Sequence, residues 1–446
     1  MSDATYADPI CISAPPSKSV SHRSLIAASM ADGVSRISNL LESDDIKATR
    51  ACLEAGGISV QDDGDALLVT GNPAGMRGGE DEPVTLHMRE SGTSCRLFTA
   101  VAAAGRGFFR ITGEGRMYER PVGALTEVLE RQGARIQWQG KPGCPPMVIE
   151  ARGFAGGNDE VNLEESSQYL SGLLLGAPLA RTSMDIGLGG RKTVSWPYVA
   201  LTLQAMEDFG VKVRIFERTD AGYEETDWRS LKGFKPGQVR FRVEPAAYTP
   251  REYSVEADWS SASYFLAAGF LGHPVELTGL RPDSVQGDRA AVDIFKQMGA
   301  QVYFDGGTLR IAPGEREGVD VDMGSCPDLV PAVAVAAAFC NSPTRIRNVA
   351  HMRLKESDRL AALASQIAKT GCDTKLFPDG LSIDPVKLPA GRELEFTTYG
   401  DHRMAMCFSI FELAGIKVRL DNPDCVSKSF PHFWQEWDKI RKGNKL

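Results

Sequence analysis

Basic side chains recur in short polar clusters along the chain, and their chemistry suits the binding of anions. Ammonium and guanidinium groups attract phosphate and carboxylate, and a guanidinium can hold two of their oxygens at once. The number of such groups predicts a ligand set with more than one phosphate or carboxylate. The basic residues of the clusters are Lys18, Arg23, Arg96, Arg120, Lys355, Arg359, Arg403 and Lys428.

Acidic residues share these clusters, and two of them suit proton transfer. Asp328 follows Pro327 at the start of an otherwise apolar segment, LVPAVAVAAAF, where a carboxylate can be an N-cap or a general base. Glu356 stands between Lys355 and Arg359 and can exchange a proton with the adjacent lysine. Asp401 is more simply interpreted as a counter-ion for the neighbouring cations.

The clusters fall where helices are predicted to begin. One set is SKSVSHR (17–23), ESGTSCR (90–96), ESSQ (165–168), DWSSAS (258–263), CPD (326–328) and GDHR (400–403). The other is SDD (43–45), RMYERP (116–121), SWPY (195–198), QGD (286–288), KESDR (355–359) and KSF (428–430). Serine and aspartate cap helix N-termini, which explains SDD and DWSS. Cations oppose the helix dipole there, so the phased cations favour the walls of an anion-binding cleft.

A repeat organises the elements that must position these clusters. Five segments read as an apolar helix end, a glycine, an alternating strand, a turn and a second strand, with DG turns in the later copies. The glycines are predicted to be left-handed helix caps: Gly56, Gly133, Gly210, Gly299 and Gly371. One more repeat length, counted from Gly371, ends at Gly443. Six units are therefore predicted, three in each of two domains. Residues 217–237 are predicted to form an extended hairpin loop.

Composition excludes several classes of protein. The net charge of −8 argues against a nucleic-acid surface. The nine cysteines include no CxxC pair, so neither a zinc site nor a disulfide framework is indicated. The N-terminal sequence shows no signal peptide, and the longest apolar stretch, 330–340, is too short to cross a bilayer. A cytoplasmic protein is predicted.

The clusters, in this order, resemble the 5-enolpyruvylshikimate-3-phosphate synthase family over essentially the whole chain. The motifs that carry the resemblance are SKSVSHR, ESSQ, SASYFLAA, QGD, KESDRL and DHRMAMCFS. The resemblance implies an α/β fold of two similar domains, each of three βαβαββ repeats, in an inside-out α/β barrel that closes over an interdomain cleft. It places residues 1–15 as a strand of the C-terminal domain, 16–254 as the N-terminal domain and 255–446 as the C-terminal domain.

The family's activity is transfer of the enolpyruvyl group of phosphoenolpyruvate to the 5-hydroxyl of shikimate 3-phosphate, with release of phosphate. The implied route is addition and elimination through a tetrahedral intermediate, on the way to chorismate and the aromatic amino acids. The two small molecules are the expected partners, without a cofactor, metal, nucleic acid or membrane. The resemblance further implies a monomer and a target of glyphosate.

The resemblance also assigns site residues by their positions in the motifs. Asp328 is implied as the acceptor of the hydroxyl proton, and Glu356 is a candidate for proton transfer at the methylene carbon, with the methylene donor left open. Lys18 is implied to touch both substrates as the third catalytic residue. The implied ligands of shikimate 3-phosphate are Lys18, Ser19, Arg23, Ser166, Ser167, Gln168, Ser195, Tyr198, Asp328, His351 and Lys355. Those of phosphoenolpyruvate are Lys18, Gly92, Arg120, Gln168, Arg359, Arg403 and Lys428.

Three positions depart from the family's commonest pattern. Pro16 replaces a glycine, Glu90 replaces a frequent asparagine, and His351 stands where some members have asparagine. An acid at Glu90 would repel phosphoenolpyruvate unless Arg96 or another cation pairs with it. Two alternative functions are a UDP-N-acetylglucosamine enolpyruvyl transferase and a non-catalytic phosphometabolite-binding protein. The first depends on a loop cysteine that GEGRMYERP lacks, and the second needs no set of proton-transfer groups.

Overall fold

A computed structural model describes residues 9–231 and 233–443, in which short strands alternate with helices. The strands are β1 (Ile10–Ser13), β2 (Val34–Ser38), β3 (Ser59–Asp63), β4 (Ala66–Thr70), β5 (Val84–His87), β6 (Arg106–Thr112), β7 (Arg135–Trp138), β8 (Met147–Arg152), β9 (Gly157–Asn162), β10 (Met184–Gly189), β11 (Val213–Thr219), β12 (Gly222–Thr226), β13 (Val239–Val243), β14 (Glu252–Ser254), β15 (Val275–Thr278), β16 (Gln301–Asp305), β17 (Thr308–Ala312), β18 (Asp320–Asp322), β19 (Thr344–Arg347), β20 (Asp373–Phe377), β21 (Gly380–Asp384), β22 (Glu393–Phe396) and β23 (Lys417–Leu420). The α-helices are α1 (Lys18–Ser29), α2 (Asp44–Ala55), α3 (Gly92–Ala104), α4 (Gly123–Arg131), α5 (Gln168–Gly176), α6 (Trp196–Asp208), α7 (Trp259–Phe270), α8 (Ala291–Gln297), α9 (Val330–Ala337), α10 (Arg359–Ile367), α11 (His402–Phe408) and α12 (Phe433–Gly443).

The chain divides into two compact units. One comprises Lys18–Val255, and the other combines the described residues up to Ser17 with those from Glu256 onward. The first unit holds three sheets, in the orders β14–β2–β4–β3, β5–β6–β8–β7 and β12–β11–β13–β10–β9. The second holds β1–β15–β17–β16, β18–β19–β21–β20 and β22–β23. Six small sheets match the six predicted units.

One strand pattern recurs in these sheets. In the second repeat, β5 pairs in parallel with β6 across α3, and β6 pairs antiparallel with the β7–β8 hairpin through β8. A parallel pair needs such a crossover helix, whereas the hairpin needs only a turn. Helices that follow the first strand of a repeat lie in the apolar interior: every residue of α7 and of α9 is buried. The start of such a helix is therefore the place where polar side chains can lie outside the apolar core.

Two crossing segments complete sheets at a distance along the sequence. β1 pairs in parallel with β15, with Ile10 opposite Val275, and so joins the second unit. β14 pairs in parallel with β2, with Glu252 opposite Arg36, and completes the first sheet of the other unit. Each of these sheets thus gains its outer parallel strand from a segment remote in sequence.

Four of the five predicted capping glycines adopt the left-handed conformation. Their φ angles are 103° at Gly133, 82° at Gly210, 102° at Gly299 and 97° at Gly371. Gly56 was wrongly predicted, since its φ is −78° and the next residue, Gly57, has φ of 83°. A Cβ at Gly56 would overlap the side chain of Met76, so this glycine is needed for close packing instead.

The third repeat contains the predicted extended hairpin, in which β12 pairs antiparallel with β11 and adds a fifth strand to that sheet. At the end of the sixth repeat, Gly443 is the last residue of α12, and the side chain of Ile10 occupies the space where its Cβ would stand. Within the described residues the sixth repeat ends with this helix. No helix in this part of the chain is both long and apolar enough to cross a membrane.

Candidate active site

The predicted polar clusters lie at helix starts throughout both units. Eight of the clusters meet an α-helix directly, at the starts of α1, α2, α3, α5, α6, α7, α10 and α11. Four instead meet a short 3-10 turn ahead of the helix: Gly115–Glu119, Gly287–Ala290, Pro327–Leu329 and Pro423–Lys428. The helix starts were therefore correctly predicted, while the intervening turns were not.

The capping interpretation of SDD and DWSS is confirmed. The Ser43 hydroxyl accepts the Ile46 N–H, and the Asp258 carboxylate accepts the Ser261 N–H at 2.7 Å. Capping does not use the cations of the clusters, so their positions need another explanation.

Arg23 is a fully buried cation surrounded by neutral groups. Its guanidinium donates to the hydroxyls of Thr202 at 2.8 Å and Ser171 at 3.5 Å, and to the carbonyls of Ser19 and Tyr198. None of the described carboxylates forms an ion pair with it, and burial lowers the pKa of Arg23 to about 10. Burying an uncompensated charge is costly. A guanidinium in this state is prepared to receive an anion.

The helices α5 and α6, whose residues surround Arg23, carry further predicted ligands at their starts. Gln168 begins α5, donates from Nε2 to Thr93 at 2.9 Å and accepts from Arg96 at 3.3 Å. Ser195 precedes α6 in the left-handed region, with φ of 54° and ψ of 48°. A non-glycine residue held there is strained, and such strain clusters at functional sites. Ser166 and Tyr198 are partly exposed, while Ser167 is buried.

Lys18 stands at the start of α1 and is held by an acid that the sequence analysis did not single out. Its ammonium donates to Asp45 at 3.0 Å, and the lysine side chain keeps 14% exposure against 4% for the carboxylate. The lysine can therefore reach a ligand while Asp45 keeps it oriented. Ser19, next in α1, is also partly exposed.

Gly92 and Arg120 form one close contact in the first unit. A Cβ built on Gly92 would overlap the guanidinium of Arg120, so the arginine packs where only glycine leaves room. Arg120 Nη1 also donates to the main-chain carbonyl of Glu90 at 3.3 Å, while the Glu90 side chain is exposed. Pro16, another departure from the family pattern, forms an antiparallel bridge with Ala257.

In the second unit, Arg359 gathers three carboxylates. It contacts Asp401 through Nε at 2.8 Å, Glu356 through Nη2 at 2.9 Å and Asp328 through Nη1 at 3.2 Å. Burial of Arg359 opposes its charge, but Asp401, Glu356 and Asp328 outweigh it and raise the pKa of the guanidinium. The Arg359 guanidinium therefore stays protonated, and the three carboxylates around it are the groups that can gain or lose a proton.

Asp328 is shared between two arginines. Arg403 Nη2 donates to its second oxygen at 2.9 Å, opposite the contact from Arg359. The N-cap interpretation of Asp328 is wrong, because the cap position of α9 is Leu329 and the Asp328 carboxylate faces the arginines instead. Asp328 is 15% exposed, so an oxygen can still meet a ligand.

Asp401 is a counter-ion, in agreement with the sequence interpretation. It is fully buried, and its two oxygens accept from Arg359, from the Ser357 hydroxyl and from the Arg403 N–H. This leaves it without access to a substrate, in contrast to Asp328.

Of the remaining predicted residues of this unit, Lys428 contacts one of the same acids. The ammonium of Lys428 lies 3.7 Å from Glu356, and both side chains are about nine-tenths buried. His351 is buried in the 3-10 turn Ala350–Leu354. The partly exposed Lys355 is the residue directly after this turn. The second unit thus combines two arginines, Lys428 and three carboxylates within one cluster.

Sequence reasoning missed two buried acids, Asp45 and Asp288. Both stand in motifs that it quoted, SDD and QGD, where aspartate was interpreted as a capping residue or left without a role. Only the packing shows that Asp45 holds Lys18 and that Asp288 is 5% exposed beside Ser260.

Comparison with known proteins gives a consistent result. Residues 11–437 match the family described as EPSP synthase (3-phosphoshikimate 1-carboxyvinyltransferase). A 3-phosphoshikimate 1-carboxyvinyltransferase of Aeromonas salmonicida is 37% identical over 425 residues, 95% of each chain. One from Haemophilus influenzae is 36% identical over 432 residues, 96% of each chain. A solved EPSP synthase of Acinetobacter baumannii superposes with a TM-score of 0.72 over 96% of this chain and 95% of its own, at 24% identity.

Proposed function

The chain belongs to the family of EPSP synthases, and we propose how its residues divide the work of that reaction. As a 3-phosphoshikimate 1-carboxyvinyltransferase, it transfers the enolpyruvyl group of phosphoenolpyruvate to shikimate 3-phosphate. The observation that supports the assignment of roles best is the contrast between the two units. One holds a buried guanidinium, that of Arg23, with which no described carboxylate pairs, and the other holds carboxylates that can move a proton.

We assign Arg23 and its neighbours to shikimate 3-phosphate. The uncompensated guanidinium of Arg23 suits the phosphate, and hydroxyl and amide groups at the starts of α1, α5 and α6 complete the recognition. The proposed ligands are Lys18, Ser19, Arg23, Ser166, Ser167, Gln168, Ser195, Tyr198, Asp328, His351 and Lys355.

Phosphoenolpyruvate carries a phosphate and a carboxylate, and we assign it to the other cations. Arg120 and Lys18 come from the first unit, and Arg359, Arg403 and Lys428 come from the second. Gly92 makes room for Arg120, and Gln168 supplies a polar contact. Because the assignment draws on both units, neither unit is expected to catalyse the reaction alone.

We propose that Asp328 accepts the proton of the 5-hydroxyl group. As that proton leaves, the hydroxyl oxygen bonds to the carbon of phosphoenolpyruvate that bears the phosphate, and a proton adds to the methylene carbon. The tetrahedral adduct then loses a methyl proton and phosphate, which restores the double bond. Asp328 suits the base because it is 15% exposed, whereas Asp401 is fully enclosed. Glu356 and Lys18 are the two candidates for the methylene proton.

Release of phosphate tests the proposed function. Shikimate 3-phosphate and phosphoenolpyruvate together should release phosphate, and each alone should not. Replacing shikimate 3-phosphate with UDP-N-acetylglucosamine should abolish the release. A folded protein that releases no phosphate from the first pair would refute the proposal.

Gly92→Ala is predicted to weaken phosphoenolpyruvate binding selectively. The added methyl group overlaps the Arg120 guanidinium and must displace it, and small displacements of a positioning group cost about 10- to 100-fold. We expect KM for phosphoenolpyruvate to rise by that factor, with KM for shikimate 3-phosphate changed little. Gly123→Ala is the control, because a Cβ there meets only Gly143 at an ordinary 3.6 Å. Equal KM values for Gly92→Ala and Gly123→Ala would contradict this account of Arg120.

Glyphosate is predicted to compete with phosphoenolpyruvate. It also carries one phosphorus oxyanion and one carboxylate, the pair of groups that the cations are proposed to bind, and Gly92 is present. When phosphoenolpyruvate is varied at several fixed glyphosate concentrations, kcat should stay the same and the apparent KM for phosphoenolpyruvate should rise. No inhibition at any practical concentration would reject this prediction.

We further propose that the protein acts on these two small molecules as a cytoplasmic monomer. The family resemblance supports this organisation. Light scattering of the purified protein tests it, and a mass well above 48.3 kDa would contradict the monomer.

A further inference from the structure

Arg96 is a buried cation that the proposed reaction does not use. It lies one turn into α3 and is 5% exposed. None of the described carboxylates forms an ion pair with it, and its Nε is buried without a hydrogen-bond partner among the described residues. Burying a charge without a counter-ion is costly. The presence of this arginine therefore needs a reason other than packing.

The guanidinium of Arg96 contacts three acceptors that belong to proposed phosphoenolpyruvate ligands or adjoin one. Nη1 donates to the main-chain carbonyl of Gly92 at 3.4 Å and to Oε1 of Gln168 at 3.3 Å. Nη2 donates at 3.4 Å to the main-chain carbonyl of Pro121, the residue after Arg120. These acceptors come from the starts of α3 and α5 and from the segment just before α4. One planar fork thus ties together the segments that carry Gly92, Gln168 and Arg120.

Tyr169 holds the same guanidinium from one side. The guanidinium carbon of Arg96 lies 5.9 Å from the ring centroid of Tyr169, a fully buried residue of α5. The Tyr169 hydroxyl lies 2.7 Å from the Pro121 carbonyl and 3.1 Å from the Glu165 carboxylate. The Pro121 carbonyl therefore keeps a closer donor if Arg96 is replaced, and we expect such a variant to fold.

Contact with Arg96 fixes the orientation of the Gln168 amide. A guanidinium only donates, so the amide atom that faces it must be the oxygen. The amide nitrogen then points away and donates one N–H to the Thr93 hydroxyl at 2.9 Å. The second N–H has no acceptor among the described residues, and an anionic oxygen is a strong acceptor for it. An amide turned over would instead present its oxygen, which repels anions.

We propose that Arg96 is a positioning residue that keeps an N–H of Gln168 directed at phosphoenolpyruvate. It acts through Gln168, because both of its terminal nitrogens already donate to protein acceptors. This role rests on the proposed function, in which Gln168 contacts phosphoenolpyruvate.

Arg96→Met should raise KM for phosphoenolpyruvate by about tenfold, because an amide that can turn over no longer holds a directed donor for an anion. Methionine suits a helix and fills much of the arginine's volume. We expect kcat to stay within about threefold, because the interaction lost is one of binding. KM for shikimate 3-phosphate should rise by less, since Arg23 remains. A purely structural defect would lower kcat without this selective change in KM.

A double-mutant cycle with Gln168→Leu tests whether Arg96 acts through Gln168. Leucine removes the amide that Arg96 is proposed to orient. Adding Arg96→Met to Gln168→Leu should therefore change KM for phosphoenolpyruvate little further. Effects of the two substitutions that simply multiply would overturn the proposed role.

Arg96→Lys separates orientation from charge. Lysine keeps the positive charge but replaces the fork with a single ammonium on a flexible stem. KM for phosphoenolpyruvate should therefore stay raised. Full recovery of KM would show that charge alone suffices and would contradict the role. Should Arg96→Met fail to fold, Arg96→Lys takes its place in the cycle with Gln168→Leu.

Arg345→Met is the matched control. Arg345 also donates to a main-chain carbonyl, that of Ile346 at 3.3 Å, and its guanidinium carbon lies 3.6 Å from the ring centroid of Phe377. Arg345 contacts none of the proposed ligands. Its KM values should coincide with those of the unaltered protein.

The outcomes separate this inference from the proposed function. If the unaltered protein turns over and Arg96→Met has the same KM for phosphoenolpyruvate, the role of Arg96 is refuted and the reaction stands. If the unaltered protein releases no phosphate from the two substrates, the proposed function itself fails.

Discussion

Asp328→Asn lowers kcat by about 10²- to 10⁴-fold, the range that a general base typically contributes. The asparagine oxygen can still accept from one of the two arginines, and Arg403 keeps its bond to the main-chain carbonyl of residue 328, so the site should keep most of its shape. An amide cannot take the hydroxyl proton, and the loss should therefore appear in kcat. KM for both substrates should remain within a few fold, measured by steady-state phosphate release.

Asp358→Asn is the control for this result. Asp358 caps α10 and pairs with Arg353 near the same cluster, and asparagine also caps helices well. Its kcat should stay close to that of the unaltered protein. Turnover of Asp328→Asn within a few fold of the unaltered rate would show that another group is the base.

Arg23→Met raises KM for shikimate 3-phosphate by about 30-fold or more, because losing one member of a buried charge pair costs about 2–5 kcal/mol. The proposed partner in that pair is the substrate phosphate, since no described carboxylate pairs with Arg23. KM for phosphoenolpyruvate should change far less. Isothermal titration with shikimate 3-phosphate alone measures the loss directly.

The same substitution should stabilise the free protein. Burial disfavours the charge on Arg23, as its pKa of about 10 indicates, and methionine removes that charge while filling much of the volume. The hydroxyls of Thr202 and Ser171 already bond each other at 2.9 Å, so they keep a partner. The thermal midpoint of the free protein should rise. With saturating shikimate 3-phosphate, the unaltered protein should instead have the higher thermal midpoint, because only the unaltered protein binds this substrate tightly.

Arg36→Met is the matched control for Arg23→Met. Arg36 pairs with Asp63 and Asp65, and all three side chains are more than a third exposed, so these ion pairs contribute little. It should alter neither KM nor the midpoint appreciably. An unchanged KM for Arg23→Met, or a free protein that is less stable, would contradict the account of Arg23 as an unpaired phosphate ligand.

Local rules predicted the helix starts and most of the repeat correctly. Four capping glycines and the caps Ser43 and Asp258 follow from the conformational preferences of single residues. The error at Gly56 has a non-local cause. Two adjacent glycines can each end the helix, and the side chain of Met76, which is remote in sequence, decides between them.

The candidate site was predictable in its residue types but not in its pairings. The sequence indicated that acids and cations share the polar clusters, yet not that Asp328 is divided between two arginines. Burial of Asp45 and Asp288 depends on how separate repeats pack, and hydrophobic periodicity does not report it. The N-cap interpretation of Asp328 failed for the same reason, since local preference was overruled by tertiary ion pairs.

The most direct test of the central claim follows the oxygen that joins carbon and phosphorus in phosphoenolpyruvate. Addition of the 5-hydroxyl to carbon, followed by elimination, breaks the carbon–oxygen bond. Phosphoenolpyruvate labelled with ¹⁸O at that bridging position should therefore give labelled phosphate, together with shikimate 3-phosphate that carries an enol ether at position 5. Unlabelled phosphate, with the label found in pyruvate, would mean that the phosphorus–oxygen bond breaks and would contradict enolpyruvyl transfer.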